Sequence, residues 1–244
     1  MLDKIQKPFP GKSTIAANDY ELLGLNDTFK VGFIGAAKLL GNIKGLSGLD
    51  KGCGNGRSTK FLHRLGAKVK GVDIDDGMIQ VAKKLLPYLP FSKSTYDQIP
   101  FKDNTFDFAF SAFSHVENDP TKDSIIQSDK EVYRVLKPGG FYIILTSNPQ
   151  MWGHEYKSFK SYFPPDFKGE SGNKVNMTFK DKVQVTFQDY YWKEEDYGRI
   201  LTQAGFDDNF EIIKPVPIND LCNIPPAMII KAHKSKSLVE NLRK

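Results

Sequence analysis

The sequence predicts an α/β fold on a doubly wound, mostly parallel sheet, and three observations carry that expectation. Between residues 46 and 146, short apolar runs alternate with segments of helical period, the pattern of successive βα units. A glycine-rich turn, Gly52-Cys53-Gly54-Asn55-Gly56, lies where the first apolar run gives way to the first helical segment. Phe141–Thr146 is β-branched and aromatic, as suits a strand buried on both faces.

Taken in order, residues 1–45 are mixed, with helical signals at Asn18–Leu25 and Phe29–Leu40. Leu46–Lys51 is the first expected strand, and Ser58–Leu65 the helix after the glycine turn, closed by Gly66. Lys68–Asp73 follows as a strand and Gly77–Leu86 as a helix, stopped by Pro87, whose ring cannot continue it. Phe106–Ser111 is a strand, then come a polar loop, a helix from about Lys122 to Leu136, and the tight turn Lys137-Pro138-Gly139-Gly140 that feeds Phe141–Thr146. Residues 147–182 are rich in Pro, Gly, Lys and aromatics without a sustained period; a loop of that length marks a functional or disordered segment. Val183–Trp192 is expected as a strand, Glu194–Ala204 as a helix with Gly205 as its C-cap, and Phe210–Val216 and Ala227–Ala232 as closing strands, so that 183–234 completes the sheet.

A chain of 244 residues suits one α/β domain with an insertion or two small domains. The motif order favours one domain over 1–244, with 1–45 as a helical lid and 147–182 as a substrate-side insertion. Hydrophobic residues at 40% and charged residues at 26% exclude disorder as the main state. The longest apolar stretch, Phe141–Leu145, falls far short of the ~20 residues that span a bilayer. The N-terminus has no apolar signal-peptide core, and Cys53 and Cys222 are too few for a disulfide framework. The expectation is a soluble cytoplasmic protein, without a membrane partner. The net charge is +5, and the nearest thing to a basic cluster is the tail, Lys231, Lys234, Lys236, Arg243 and Lys244, not the stripe that nucleic-acid binding needs.

The chemistry concentrates in Asp50-Lys51-Gly52-Cys53-Gly54-Asn55-Gly56-Arg57. Glycines there let the backbone turn sharply and approach a ligand, and the helix start presents free N–H groups. Asp73 ends the next strand, where a carboxylate can accept from a ribose diol. The spacing is G-x-G-x-G. A dinucleotide fingerprint would need glycine at position 57, where Arg57 stands, which disfavours a NAD-type oxidoreductase. Lys51, at the end of a buried strand, needs a partner or a route to water; Asp50 and the loop mouth are the nearest to offer one.

Over roughly Leu46–Phe206 the sequence resembles the class I S-adenosylmethionine (SAM)-dependent methyltransferases of the small-molecule type. LDKGCGNGRS is similar to their acid-plus-glycine loop, and GVDIDDGMI to the segment after it. YDQIPFKDNTFDFAFS is similar to their third and fourth motifs, EVYRVLKPGGFYIIL to the turn before strand five, and YYWKEEDYGRILTQAGF to the helix before the final hairpin. The resemblance implies a Rossmann-like, seven-stranded sheet with an antiparallel last strand. It also implies that Gly52, Gly54 and Gly56 pass under the amino-acid part of SAM, with Asp50 positioning its ammonium directly or through water. Asp73 would hold the ribose hydroxyls, Ile74 and Met78 the adenine faces, and Asp97 the adenine amine, with Tyr96 and Gln98 beside it. Ser111 would lie near the sulfonium, and Tyr20 would close over SAM from the N-terminal segment. Lys51 departs from the family, which usually has an apolar residue there.

Methyl transfer from a sulfonium needs mainly alignment and exclusion of water, and a general base only where the nucleophile must lose a proton. His115, in the loop after the fourth strand, and His154, in the insertion, are the candidates for that role. No His/Cys/acid cluster has metal-ligand spacing. Trp152, Tyr156, Tyr190, Tyr191 and Trp192 are expected either to line an aromatic acceptor pocket or to form a minor core. The function read from the chain is methyl transfer from SAM to an N, O or C nucleophile of a small molecule, yielding S-adenosylhomocysteine (SAH), in a monomer or homodimer. A non-catalytic SAM-binding regulator and an RNA or protein methyltransferase stay open as alternatives. SAFSH stands where methyltransferases of adenine or glutamine amides carry Asn/Asp-Pro-Pro-Tyr/Phe.

Overall fold

The computed structural model describes residues 27–115, 121–180, 185–217 and 220–236. Tyr20, the Asn18–Leu25 helix and most of the expected lid lie outside them. The main sheet has seven strands: β1 (Ser47–Lys51), β2 (Lys68–Asp73), β3 (Phe91–Lys93), β4 (Phe106–Ala112), β5 (Leu136–Ser147), β9 (Glu211–Ile213) and β10 (Ala227–His233). Their spatial order is β3-β2-β1-β4-β5-β10-β9. The first five are parallel, and β10 runs antiparallel between β5 and β9. Strand order reverses at β1, so β1 and β4 diverge there and leave a crevice at their carboxyl ends.

The helices cover both faces because each presents one apolar stripe. On one face α1 (Asp27–Leu40) and α2 (Arg57–Arg64) bury Phe33, Ala36, Leu40 and Leu62 against Phe108, Phe110, Ile143, Leu145 and Ile229. The described part of the expected lid is therefore a covering helix on β5 and β10. Gly32 and Gly35 let it approach, since a Cβ at either would stand 2.9 Å from Leu145 or Ile229. On the other face α4 (Lys122–Val135) and α5 (Glu194–Ala204) bury Ile125, Val132, Ile200 and Leu201 against Tyr142, Ile144 and Met228. Between β2 and β3, α3 (Asp76–Leu85) packs Ile79 and Ala82 with Phe91 and Cys53.

Three expectations change. The described part of 147–182, up to residue 180, is not irregular: it holds β6 (Phe159–Tyr162) and β7 (Asn173–Phe179). These form an antiparallel three-stranded sheet with β8 (Thr186–Tyr191). Val183 and Gln184 lie outside the described residues, and the rest of the expected strand does not extend the main sheet; β8 pairs with β7 because Val175, Met177 and Phe159 need an apolar cover of their own. Lys137-Pro138-Gly139-Gly140 is a bulge inside β5 rather than a turn before it, since Leu136 pairs with Phe106 and Phe141 with Phe108. Gly139 takes the positive φ of 76° that the bulge needs. Asp196, at the start of α5, ties the two sheets together by accepting from Ser171 Oγ (2.6 Å) and pairing with Lys122 of α4 (3.1 Å).

At Gly48, the second residue of β1, a Cβ would stand 2.3 Å from the Phe108 ring. Overpacking of this kind costs about 1–3 kcal/mol. Gly48→Ala is expected to lower stability by that amount in urea unfolding; an unchanged midpoint would contradict this packing.

Candidate functional site

The site grows from the carboxyl ends of β1, β2 and β4. Gly52, Gly54 and Gly56 all have left-handed φ, at 67°, 52° and 91°, which glycine alone adopts without strain. Their reasons differ. A Cβ on Gly52 would meet Ser114 Oγ at 2.1 Å, and one on Gly56 would meet Leu86 at 2.7 Å, whereas one on Gly54 would meet nothing within 4 Å. Gly54 is thus the point where the loop faces open space. The first turn of α2 carries no acidic residue and has no side-chain cap, which leaves its N-terminal positive end available to an anionic group.

Asp50 sits under this loop, fully buried. Its Oδ2 accepts from Ser58 Oγ (2.7 Å) and Thr59 Oγ1 (2.6 Å), both in the first turn of α2. Its Oδ1 is buried without a hydrogen-bond partner. Burial pushes its carboxyl up to about 7, against the pull of the two hydroxyls and with the Asp73 charge adding to the rise. Asp73, at the end of β2, is also raised by burial; Oδ2 accepts from Gly54 N–H (2.8 Å) and Oδ1 from Asp75 N–H (2.9 Å). Asp73 therefore clamps the glycine loop, and each oxygen keeps a second lone pair for a hydroxyl donor.

Ser94 donates its N–H to the Asp73 carbonyl, which starts the turn Thr95–Gln98 beside that carboxylate. In it Tyr96, Asp97 and Gln98 are exposed, and Asp97 accepts from Thr95 Oγ1 (2.7 Å). Ile74 is exposed while Met78, in the first turn of α3, is buried. Ser111 is buried at the end of β4 and shares a 2.8 Å hydrogen bond with Ser114, which donates to the Lys51 carbonyl (3.1 Å). Phe113, between them, takes a φ of 51°. A non-glycine residue there stores strain of order 1–3 kcal/mol, and the turn brings Ser114 back onto Gly52.

The two histidines separate. His115 is buried, with Nε2 2.7 Å from Oδ2 of Asp129 in α4. Oδ1 of Asp129 lies 3.7 Å from Lys51 Nζ. The partner of Lys51 is thus Asp129, not Asp50: successive strand residues point to opposite faces, Asp50 toward α2 and Lys51 toward α4. His154 is exposed, and its backbone bonds to Met151 and Ser161, which places it with the second sheet rather than the glycine loop. Trp152 and Tyr156 are buried in the small core under that sheet, and Trp192 in the main core beside α5, so these three build cores rather than an open pocket wall. Tyr190 and Tyr191 are half-buried; Tyr191 meets Phe167 edge-on, with ring centroids 5.3 Å apart. Among the described residues no cluster of His, Cys, Asp and Glu suits a metal, and no helix is long and apolar enough to cross a membrane.

Because the folded Asp50 carboxyl lies above its ordinary value, its favourable contribution holds below about 4 and is lost as pH rises through about 7. Asp50→Asn is expected to gain stability relative to the wild type over that window, on the order of a few kcal/mol, in thermal unfolding of the ligand-free protein. A pH-independent difference would contradict this environment.

A methyltransferase-domain family matches residues 49–144, the span from β1 into β5. The chain is 31% identical over 163 residues to a demethylmenaquinone methyltransferase of Chlorobaculum parvum, covering 65% of this chain and 64% of that protein. It is 30% identical over 178 residues to the Staphylococcus aureus protein of the same name, covering 69% and 71%. An N-demethylindolmycin N-methyltransferase of Streptomyces griseus is 26% identical over 179 residues, covering 69% and 73%. In fold, the chain is similar to a S-adenosylmethionine-dependent methyltransferase from Clostridium acetobutylicum, with a TM-score of 0.63 and 16% identity over 90% of this chain and 97% of that one. With the glycine loop, its two acids and the β3-β2-β1-β4-β5-β10-β9 sheet already in place, the chain belongs to the class I SAM-dependent methyltransferases.

Proposed function

We propose that this protein transfers a methyl group from SAM to a small-molecule acceptor. The observation that carries the reading is Asp50 Oδ1, a buried carboxylate oxygen without a hydrogen-bond partner, at the foot of a glycine loop in which a Cβ on Gly54 would meet only open space. A buried carboxylate is costly unless paired, and the ammonium of an amino acid is its natural complement, directly or through one water. In this reading Gly52, Gly54 and Gly56 let the backbone lie against the amino-acid end, and the N-terminus of α2 receives its carboxylate. Asp73 accepts from the ribose hydroxyls while still holding the Gly54 N–H. Exposed Ile74 and the Tyr96–Gln98 turn flank the base, and Ser111 lies toward the reacting end. When bound, SAM supplies an activated methyl group; the protein orients the acceptor and excludes water, which can contribute roughly 7–11 kcal/mol to lowering the barrier.

The relatives' names support the acceptor class, a small molecule bearing a demethylated position. The second sheet and the loops that carry it stand on the side of β5 and α5 and provide the remaining walls, Tyr190 and Tyr191 among them.

Calorimetric titration is expected to show saturable binding of SAM and SAH and none of NAD. Asp50→Ala and Gly54→Val are each expected to weaken SAH at least tenfold, the first by removing the ammonium's partner and the second by filling the cradle. Label from methyl-tritiated SAM is expected in demethylmenaquinone or another small acceptor. Binding of NAD without SAM, or label confined to RNA or protein, would overturn the proposal.

A further inference from the structure

Lys51, Asp129 and His115 come from the end of β1, from α4 and from the loop after β4, and meet in a row beside the glycine loop that is buried at Asp129 and His115 and partly open at Lys51. Three observations suggest more than packing. The Asp129 side chain is fully buried and has His115 Nε2 on one oxygen and Lys51 Nζ on the other. A carboxylate only accepts hydrogen bonds, so in the neutral imidazole Nε2 carries the proton and Nδ1 keeps its lone pair. That Nδ1 is buried without a hydrogen-bond partner. The ring is fixed by Tyr197, stacked at 5.9 Å, and by Tyr142, edge-on at 6.1 Å. Finally, the residue before His115 is Ser114, which bonds to both Ser111 and the Lys51 carbonyl and sits against Gly52. The strained turn at Phe113 sets that placement.

We propose that His115 accepts the proton of the methyl acceptor's nucleophile at Nδ1, and that Asp129 and Lys51 are positioning residues that fix its tautomer and orientation. The inference rests on the reading above that SAM binds at the glycine loop. In the step, the nucleophile's electron pair forms the bond to the methyl carbon. The carbon–sulfur bond breaks with its pair left on sulfur, and the nucleophile's proton passes to Nδ1. The resulting imidazolium lies against the Asp129 carboxylate, and the proton leaves to solvent as product departs. Lys51, unusual for its place in the family, is thereby accounted for: its charge is held by Asp129.

The test uses the full chain labelled with ¹⁵N-histidine. Nitrogen shifts of His115 are expected to show the proton on Nε2 in the neutral ring. They are also expected to show an Nδ1 signal that differs between the SAM and SAH complexes, because only SAM carries the sulfonium charge. Asp129→Asn is expected to shift the tautomer toward Nδ1–H. With a methyl acceptor such as demethylmenaquinone, His115→Gln is expected to lower kcat about 10²–10⁴-fold. Asp129→Asn should lower it less and Lys51→Met least, with acceptor KM and the Kd of SAH within about threefold of wild type. A wild-type proton on Nδ1, or identical His115 spectra with SAM and SAH both bound, would overturn the proposal even if His115→Gln fails to fold. Failure of SAM to bind at all would instead overturn the reading beneath it.

Discussion

The site rests on the burial of one carboxylate. Asp50 lies near the end of β1, inside the sheet, where main-chain pairing to β2 and β4 holds it on both sides. Its Oδ2 is committed to Ser58 and Thr59, so the first turn of α2 is drawn onto the strand and the loop between them must close in five residues. Only three glycines with left-handed φ make that closure. Asp73 then pins the loop from the next strand through Gly54. The Asp73 charge raises the Asp50 carboxyl beyond what burial does, and a cation at the unpartnered Oδ1 relieves that load. A loop held under that electrostatic load binds best a ligand that brings a positive charge to one point and hydroxyls to the other.

The adjacent residue solves a second problem on the opposite face. Because side chains alternate along a strand, Asp50 serves α2 and Lys51 serves α4, one residue apart. The ion pair of Lys51 with Asp129 would be a poor source of stability taken alone, since desolvation offsets much of the attraction between buried charges. Its effect is geometric: it joins β1, α4 and the loop after β4 beside the crevice, and it keeps an ammonium away from the point where a cationic cofactor is expected. The ring packing of His115 on Tyr142 and Tyr197 extends the same arrangement into the core shared by β5 and α5.

Much of this was legible in the sequence because it is local. Glu194–Ala204 and its Gly205 cap appear where helical period and a terminal glycine put them, and the acid-glycine loop announces itself by spacing. Strand β3 has only three residues and too little pattern to show. The second sheet was hidden because β6 has only four residues and is separated from β7 by Pro164, Pro165 and two glycines, which read as loop. Asp129 carries no local signal: it lies on an ordinary amphipathic helix, and only the fold brings it to a lysine 78 positions earlier. The clue available was Lys51 itself, a cation that burial obliges to find a partner. Tryptophan and tyrosine content was equally ambiguous, since Trp152, Tyr156 and Trp192 turned out to serve cores.

The central claim, that a buried and underpaired Asp50 awaits a cationic group, is tested most directly by its own carboxyl. A ¹³C titration of Asp50, identified by its loss in Asp50→Asn, is expected to have its midpoint near 7 in the ligand-free protein and to move well below that with SAH bound. An ordinary carboxylate midpoint without ligand, or a midpoint that SAH leaves unchanged, would contradict the account.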